Sequence, residues 1–293
     1  MNWTRATFSV FCAIAALTTP TATPRLTAAV QTPTSTSFFD DFSGSDINRA
    51  VWNVIVTGRT VNNEQQAYVD SPDTLSLVSG AAAAGASNGA LAVRARYRPG
   101  FKTPEGRAFD FTSGRMDTRG KMTFTYGTVA ARIKLTAGPG LWPAFWALGD
   151  GPWPATGEMD ILENVGERDW TNVALHGPGY SGNTPLVSRR PFVPPDDITA
   201  WHVYSVDWTP DELVFKVDDH TFYDVTKSKV ESYGRWAYDN PKFLIVNLAI
   251  GGQYPQSVNK ATAPYAGVPQ ATVDLIKADK ALMLVDWIRI TGR

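Results

Sequence analysis

The chain has 293 residues, 43% hydrophobic and 19% charged, enough for one large all-β domain or two smaller ones. Its 27 basic and 28 acidic residues leave a formal charge of −1, which provides no electrostatic footprint for nucleic acid or an anionic membrane. Aromatics make up 12%, with 10 Trp, enough both to pack strands and to line a sugar-binding groove.

Residues 1–24 open with Arg5, run through apolar Phe8 to Leu17, and end in Thr, Pro and Ala. That is the pattern of a secretory signal peptide, with cleavage between 22 and 30, after Ala22 or Ala29. Its apolar run is too brief to span a bilayer; a retained N-terminal anchor is the alternative. Cys12, the one cysteine, lies inside this segment, so an exported mature protein would stand without disulfides. Residues 25–37 are rich in Thr, Pro and Ala and read as a linker. The folded domain is expected over residues 38–293, as a single domain.

Strand patterns follow at Val51–Val56, Ala90–Arg96, Thr128–Leu135, Asn172–His176, His202–Trp208, Leu213–Val217, Phe243–Ala249 and Met283–Thr291. In Thr128–Leu135, Val129, Ala131, Ile133 and Leu135 alternate with Thr128, Ala130, Arg132 and Lys134. Val217-Asp218-Asp219-His220-Thr221 reads as a tight hairpin turn. The best helical pattern is Val273–Leu282. Many strands without alternating helices predict a β-sandwich or barrel.

The informative stretch is Gly157-Glu158-Met159-Asp160-Ile161-Leu162-Glu163. Acids interleaved with apolar residues need a reason, because a buried carboxylate is costly. On a strand Glu158 and Asp160 share a face, but Glu163, five residues after Glu158, would point the other way. A β-bulge near Ile161-Leu162 would return it to the shared face. Otherwise the acids are the solvent-facing side of a half-exposed strand. As a unit, two glutamates about 5–5.5 Å apart suit a retaining glycosidase, with Asp160 disfavouring a second charge between them. Upstream, Trp142 and Trp146 share a face and could form a stacking platform for a sugar or pack in the core.

Gly157–Asn164 resembles the Glu-x-Asp-x-x-Glu signature of glycoside hydrolase family 16. Gly140-Leu141-Trp142-Pro143-Ala144-Phe145-Trp146 resembles its usual companion. Further matches are Asn62–Tyr68, Ser113-Gly114-Arg115, Tyr126-Gly127, His176–Tyr180, Trp201-His202, Asn247–Gly252 and Val285–Ile290. Together they span about residues 38–293, which the resemblance implies are the family's catalytic domain. The resemblance implies a concanavalin-like jelly-roll of two antiparallel sheets with a concave cleft. It implies retaining hydrolysis with Glu158 as nucleophile, Glu163 as acid/base and Asp160 as helper. The bulged spacing goes with β-1,3-glucanases, agarases and carrageenases, and the Trp-Pro-Ala-Phe-Trp segment with the laminarinase branch. A related enzyme on mixed-linkage glucan or a galactan is the alternative, and a non-catalytic carbohydrate-binding jelly-roll a further one.

By the same resemblance Asn63, Glu64, Arg115, Trp142, Trp146, His176 and Asn247 line the cleft. His202 and His220 are left as structural or surface residues, and Trp287 with the core or the convex sheet. Catalysis needs no cofactor. A structural calcium, Ca2+, is a candidate at Asp41, Asp286 and a backbone carbonyl near Gly89, although the family's usual Glu is Asp41 here. The implied partner is a polysaccharide, a β-glucan; no nucleic acid and no membrane is expected after signal cleavage, and the protein is expected to be a secreted monomer. Two segments depart from the simplest family pattern: the Ala-rich Gly80–Ser87 and the long Tyr254–Leu282, which could narrow one end of the cleft.

Overall fold

A computed structural model describes residues 37–292. The expected signal peptide and nearly all of the linker lie outside the described residues. The strands in order are β1 (Ser37–Asp40), β2 (Asn53–Val54), β3 (Gln66–Tyr68), β4 (Leu75–Val78), β5 (Ala90–Arg94) and β6 (Arg96–Lys102). There follow β7 (Ala108–Ser113), β8 (Arg115–Asp117), β9 (Gly127–Leu135), β10 (Leu141–Gly149), β11 (Glu158–Glu163) and β12 (Trp170–His176). The last six are β13 (Val187–Pro191), β14 (His202–Trp208), β15 (Glu212–Val217), β16 (His220–Thr226), β17 (Lys242–Ile250) and β18 (Leu282–Thr291). Three short helices, α1 (Lys227–Glu231), α2 (Gln253–Asn259) and α3 (Gln270–Lys277), fall late in the chain. None of the described helices is long and apolar enough to cross a membrane.

Two antiparallel sheets make the jelly-roll sandwich. The cleft sheet runs β13-β12-β11-β10-β17-β8-β2; the back sheet runs β16-β15-β14-β9-β18-β5-β4, with β1 also on β18. A third sheet, β3-β7-β6, was not anticipated, and its β3–β7 pair is parallel. The core lies between the two large sheets, as the alternation dictates. Val129, Ala131, Ile133 and Leu135 of β9 enter it from the back sheet; Leu141, Phe145 and Ala147 of β10 and Leu244, Val246, Leu248 and Ile250 of β17 enter it from the cleft sheet.

The hairpin turn forms as expected, with Asp218 and Asp219 both left-handed, φ 52° and 63°. Two expectations need correcting. Val51–Val56 shortens to Asn53–Val54 because it pairs only with the three-residue β8. The late helix ends at Lys277, and Leu282 already opens β18, pairing with Arg94. His202 is buried between Asp218 Oδ2 on Nδ1 (2.7 Å) and the Asp197 carbonyl on Nε2 (2.9 Å), while His220 is exposed. Trp287 is half-buried, outside the core cluster, with Arg289 5.2 Å over its ring.

The Ala-rich insert is latched onto the back sheet. Trp201 Nε1 donates to Ala84 O, Arg132 to Gly85 O, and Ser87 donates through N and Oγ to Asp286. Asp286 is the extra residue of a bulge, since Val285 and Trp287 pair with consecutive residues Ile133 and Arg132. Its carboxylate is fully buried and ion-paired with Arg132. The donor set therefore does not fit a calcium ion: Ser87 and the Arg132 guanidinium already take both Asp286 oxygens and supply the countercharge. Asp41 likewise accepts from Ser43 and Asn88. Gly89 sits where a Cβ would come within 2.8 Å of the Phe42 carbonyl.

Candidate active site

Three neighbouring strands build the cleft floor. Along β10, Trp142, Ala144, Trp146 and Leu148 face the cleft while Leu141, Phe145 and Ala147 face the core. Along β17, Asn247 and Ala249 face it. On β11 the bulge forms where the spacing required it. Phe145 pairs with Leu162 and Trp146 with Asp160, so Ile161 is the extra residue against β10. On the other side Asp160 pairs with Ala174 and Glu163 with Asn172. Ile161 and Leu162 both pack in the core, and Glu158, Asp160 and Glu163 all line one cavity of about 450 Å³.

Entry to β11 depends on Gly157. Its φ is +75°, and a Cβ there would meet the Ala237 carbonyl at 2.3 Å. Beneath this entry the buried Lys242 ammonium donates to Thr156 O, Ala237 O and Asn240 Oδ1, and burial pulls its pKa down to about 7.

Each acid has its own partners. Glu158 Oε2 accepts from Trp153 Nε1 at 2.7 Å. Glu163 accepts from Trp142 Nε1 at 2.9 Å on Oε1 and from Asn172 Nδ2 at 3.2 Å on Oε2. His176, opposite Glu158 in register, brings Nε2 to 3.3 Å from Asp160 Oδ2 and 4.0 Å from Glu158 Oε1. Burial holds all three carboxyl groups above their ordinary range, Glu158 at about 8, and repulsion from the neighbouring acids adds to this for Glu158 and Asp160, while Trp142, His176 and Asn172 pull Glu163 back down. The trio therefore keeps protons where isolated carboxylates would be fully charged, and those protons belong to the group as a whole.

The far wall carries the other expected residues. Arg115 lies 5.1 Å over the Trp146 ring and 6.0 Å over Tyr68. Trp146 Nε1 donates to Asn247 Oδ1 at 2.8 Å, and Asn247 Nδ2 to the Tyr68 hydroxyl at 3.1 Å. Glu64 is buried, with its pKa raised by that burial against the pull of Gln66 and Arg115. Asn63 stands apart. It is exposed with φ 58°, and Asn62 and Glu64 line the cavity in its place.

Sequence reasoning missed Trp153, Tyr68, Asn172 and Tyr254. Trp153 lies only five residues before Glu158, so its nearness to the acids was a usable clue. The others reach the site through tertiary contacts alone.

Comparison with known proteins agrees with this geometry. The model for glycosyl hydrolases family 16 matches residues 48–274. A β-glucanase of Rhodothermus marinus is 32% identical over 237 residues, covering 77% of this chain and 78% of that protein. Glucan endo-1,3-β-glucosidase A1 of Niallia circulans is 30% identical over 240 residues, covering 73% of this chain but only 33% of that longer protein. The X-ray structure of the endo-β-1,3-glucanase from Pyrococcus furiosus superposes with a TM-score of 0.74 at 32% identity, covering 87% of this chain and 93% of that one. With the family model spanning the cleft sheet and its bulged acidic strand, the chain belongs to glycosyl hydrolases family 16 and is a β-glucan-degrading glycoside hydrolase.

Proposed function

We propose that this enzyme is a retaining endo-hydrolase of β-1,3-glucosidic bonds in laminarin- and curdlan-like glucans. The observation that carries the reading is the bulge at Ile161, which sets Glu158, Asp160 and Glu163 on one face of a tryptophan-floored cleft. In the first step the Glu158 carboxylate attacks the anomeric carbon. The glycosidic C–O bond breaks as the Glu163 carboxyl protonates the departing oxygen. In the second, Glu163 takes a proton from water, whose oxygen attacks the same carbon and releases Glu158. Two inversions give net retention. Asp160, buried between the two glutamates with its carboxyl held above the ordinary range by burial and by the charge of Glu163, disfavours a further negative charge beside Glu158.

The donors alone would place charge on Glu163, which receives two N–H groups against one for Glu158. The assignment of Glu158 as nucleophile therefore rests on the order of the motif. The names of the relatives, β-glucanase and glucan endo-1,3-β-glucosidase, support the bond type.

Reducing-sugar release should be highest on laminarin and curdlan within a panel that includes lichenan, agarose and κ-carrageenan. The first-formed reducing end should be the β-anomer by proton NMR. Preference for a galactan, or an α-anomer formed first, would overturn the reading. Export, inferred from residues 1–24, would be checked by N-terminal sequencing of protein from the culture medium.

A further inference from the structure

Tyr254 opens the late segment whose position the sequence did not reveal. Behind β17, Gly251 and Gly252 adopt φ 61° and 102°. A Cβ on Gly252 would meet the Asn62 carbonyl at 2.6 Å. Gln253 N then donates to that same carbonyl at 2.7 Å, which fixes the start of α2 over the cleft end. Tyr254 is thereby carried against both residues that donate to Glu163. Its hydroxyl donates to Asn172 Oδ1 at 2.9 Å, and its ring meets Trp142 edge-to-face with centroids 5.5 Å apart.

An asparagine amide can present either end, and a carboxylate accepts only from the NH2 end. A hydroxyl donating to Oδ1 leaves Nδ2 for Glu163. The T-shaped contact likewise limits rotation of the Trp142 indole, whose Nε1 holds the other Glu163 oxygen. We propose that Tyr254 is a positioning residue for Glu163, fixing the Asn172 amide and the Trp142 indole so that both N–H groups aim at its carboxylate.

The proposal rests on the reading of Glu163 as the acid/base. As Glu163 releases its proton to the leaving oxygen, two N–H groups are already in place to stabilise the carboxylate that forms, so the proton leaves more readily. Other groups around Glu163 are Glu158 and Asp160 on its own strand and His176 on β12; Arg189 on β13 stands beside Tyr254. The Tyr254 hydroxyl is itself pushed up to about 12, so it remains a donor throughout the working range.

The test uses the full-length enzyme with laminarin and with an aryl β-oligoglucoside whose leaving group needs no proton. Tyr254→Phe should lower kcat on laminarin about tenfold, as for loss of a hydrogen bond supporting a charged group, with KM within about twofold. The alkaline limb of its kcat/KM profile should move to higher pH, because Glu163 loses a fixed donor. On the aryl substrate kcat/KM should stay near wild type. Asn172→Ala should shift the limb in the same direction, and the double variant no further than Asn172→Ala alone.

An unmoved limb, equal losses on both substrates, or additive effects of the two substitutions would overturn the proposal. Glu163→Ala with azide separates this from failure of the underlying reading. A retained glycosyl azide keeps Glu163 as acid/base, so an unmoved limb in Tyr254→Phe then defeats the Tyr254 proposal alone. An inverted azide product would make Glu163 the nucleophile and overturn both.

Discussion

Trp153 Nε1 donates to Glu158 Oε2 at 2.7 Å, although its side chain is 50% exposed at the cleft mouth. An indole can only donate, so this contact favours the ionised glutamate. Trp153→Phe keeps the ring and removes the donor. A hydrogen bond to a charged group is worth about 1.5–3 kcal/mol, and the exposure of this one puts it at the lower end. The expected result is a fall of about tenfold in kcat on laminarin with an unchanged Tm, since the ring packs in no core. Steady-state kinetics and a thermal melt check both halves.

Deleting Ile161 would leave Asp160, Leu162 and Glu163 paired with Trp146, Phe145 and Ala144 in a regular ladder, with Glu158 and Glu163 four residues apart and still on the cleft face. Hydrolysis should therefore survive in reduced form rather than vanish. Tm should fall, because the buried Ile161 side chain is lost from the core. Ile161→Val keeps the bulge and should retain near-wild-type activity, at a cost of about 0.5–1.5 kcal/mol for the missing methyl group. Chemical denaturation with parallel activity assays distinguishes the two variants.

The buried Asp286 has Arg132 as its countercharge. Chelation with EDTA should therefore leave Tm unchanged, as should added calcium. Arg132→Met should destabilise by about 3 kcal/mol, because breaking a buried pair orphans the remaining charge. A chelator-sensitive melting curve in the wild-type protein would show instead that a cation serves Asp286.

His202 gives stability a pH dependence on the back sheet. Burial alone would lower its pKa from 6.5, but the hydrogen bonds it donates to Asp218 and to the Asp197 carbonyl, with the charges of Asp218 and Asp196, outweigh burial and raise it. The folded state then binds the proton more tightly than the unfolded state. The stabilisation is complete below pH 6.5 and is lost as pH rises through the elevated folded value. Asp218 is shifted the other way: burial opposes the shift, yet the His202 and Val203 hydrogen bonds hold it below 3.8. Its contribution is present above that pH and lost on acidification. His202→Gln should flatten the alkaline decline in urea-denaturation stability between about pH 6 and 8.

The reach of sequence reasoning divides along the range of the forces involved. Alternation in β9 and the run of strand patterns around it made the sandwich legible, because one buried face imposes a period of two. The odd offset between Glu158 and Glu163 located the bulge. What stayed hidden was settled by contacts between distant segments. Arg132 meets Asp286 across 154 positions, and Tyr254 meets Asn172 across 82. The third sheet was hidden for the same reason, since β3 is three residues long and pairs with β7. Asn62, not Asn63, lines the cleft because consecutive left-handed residues, φ 54° and 58°, turn the chain there.

On β10, Ala144 stands between Trp142 and Trp146 and pairs with Glu163. Where the acids act, the floor drops to a methyl group, leaving depth for a sugar ring bent toward its half-chair. The flanking indoles stand about 13 Å apart at strand spacing. A short oligosaccharide can rest on one of them but not bridge both. Turnover per bond should therefore climb with oligomer length until the chain straddles the hollow, then level off, making the enzyme a better cutter of polymer than of its own products.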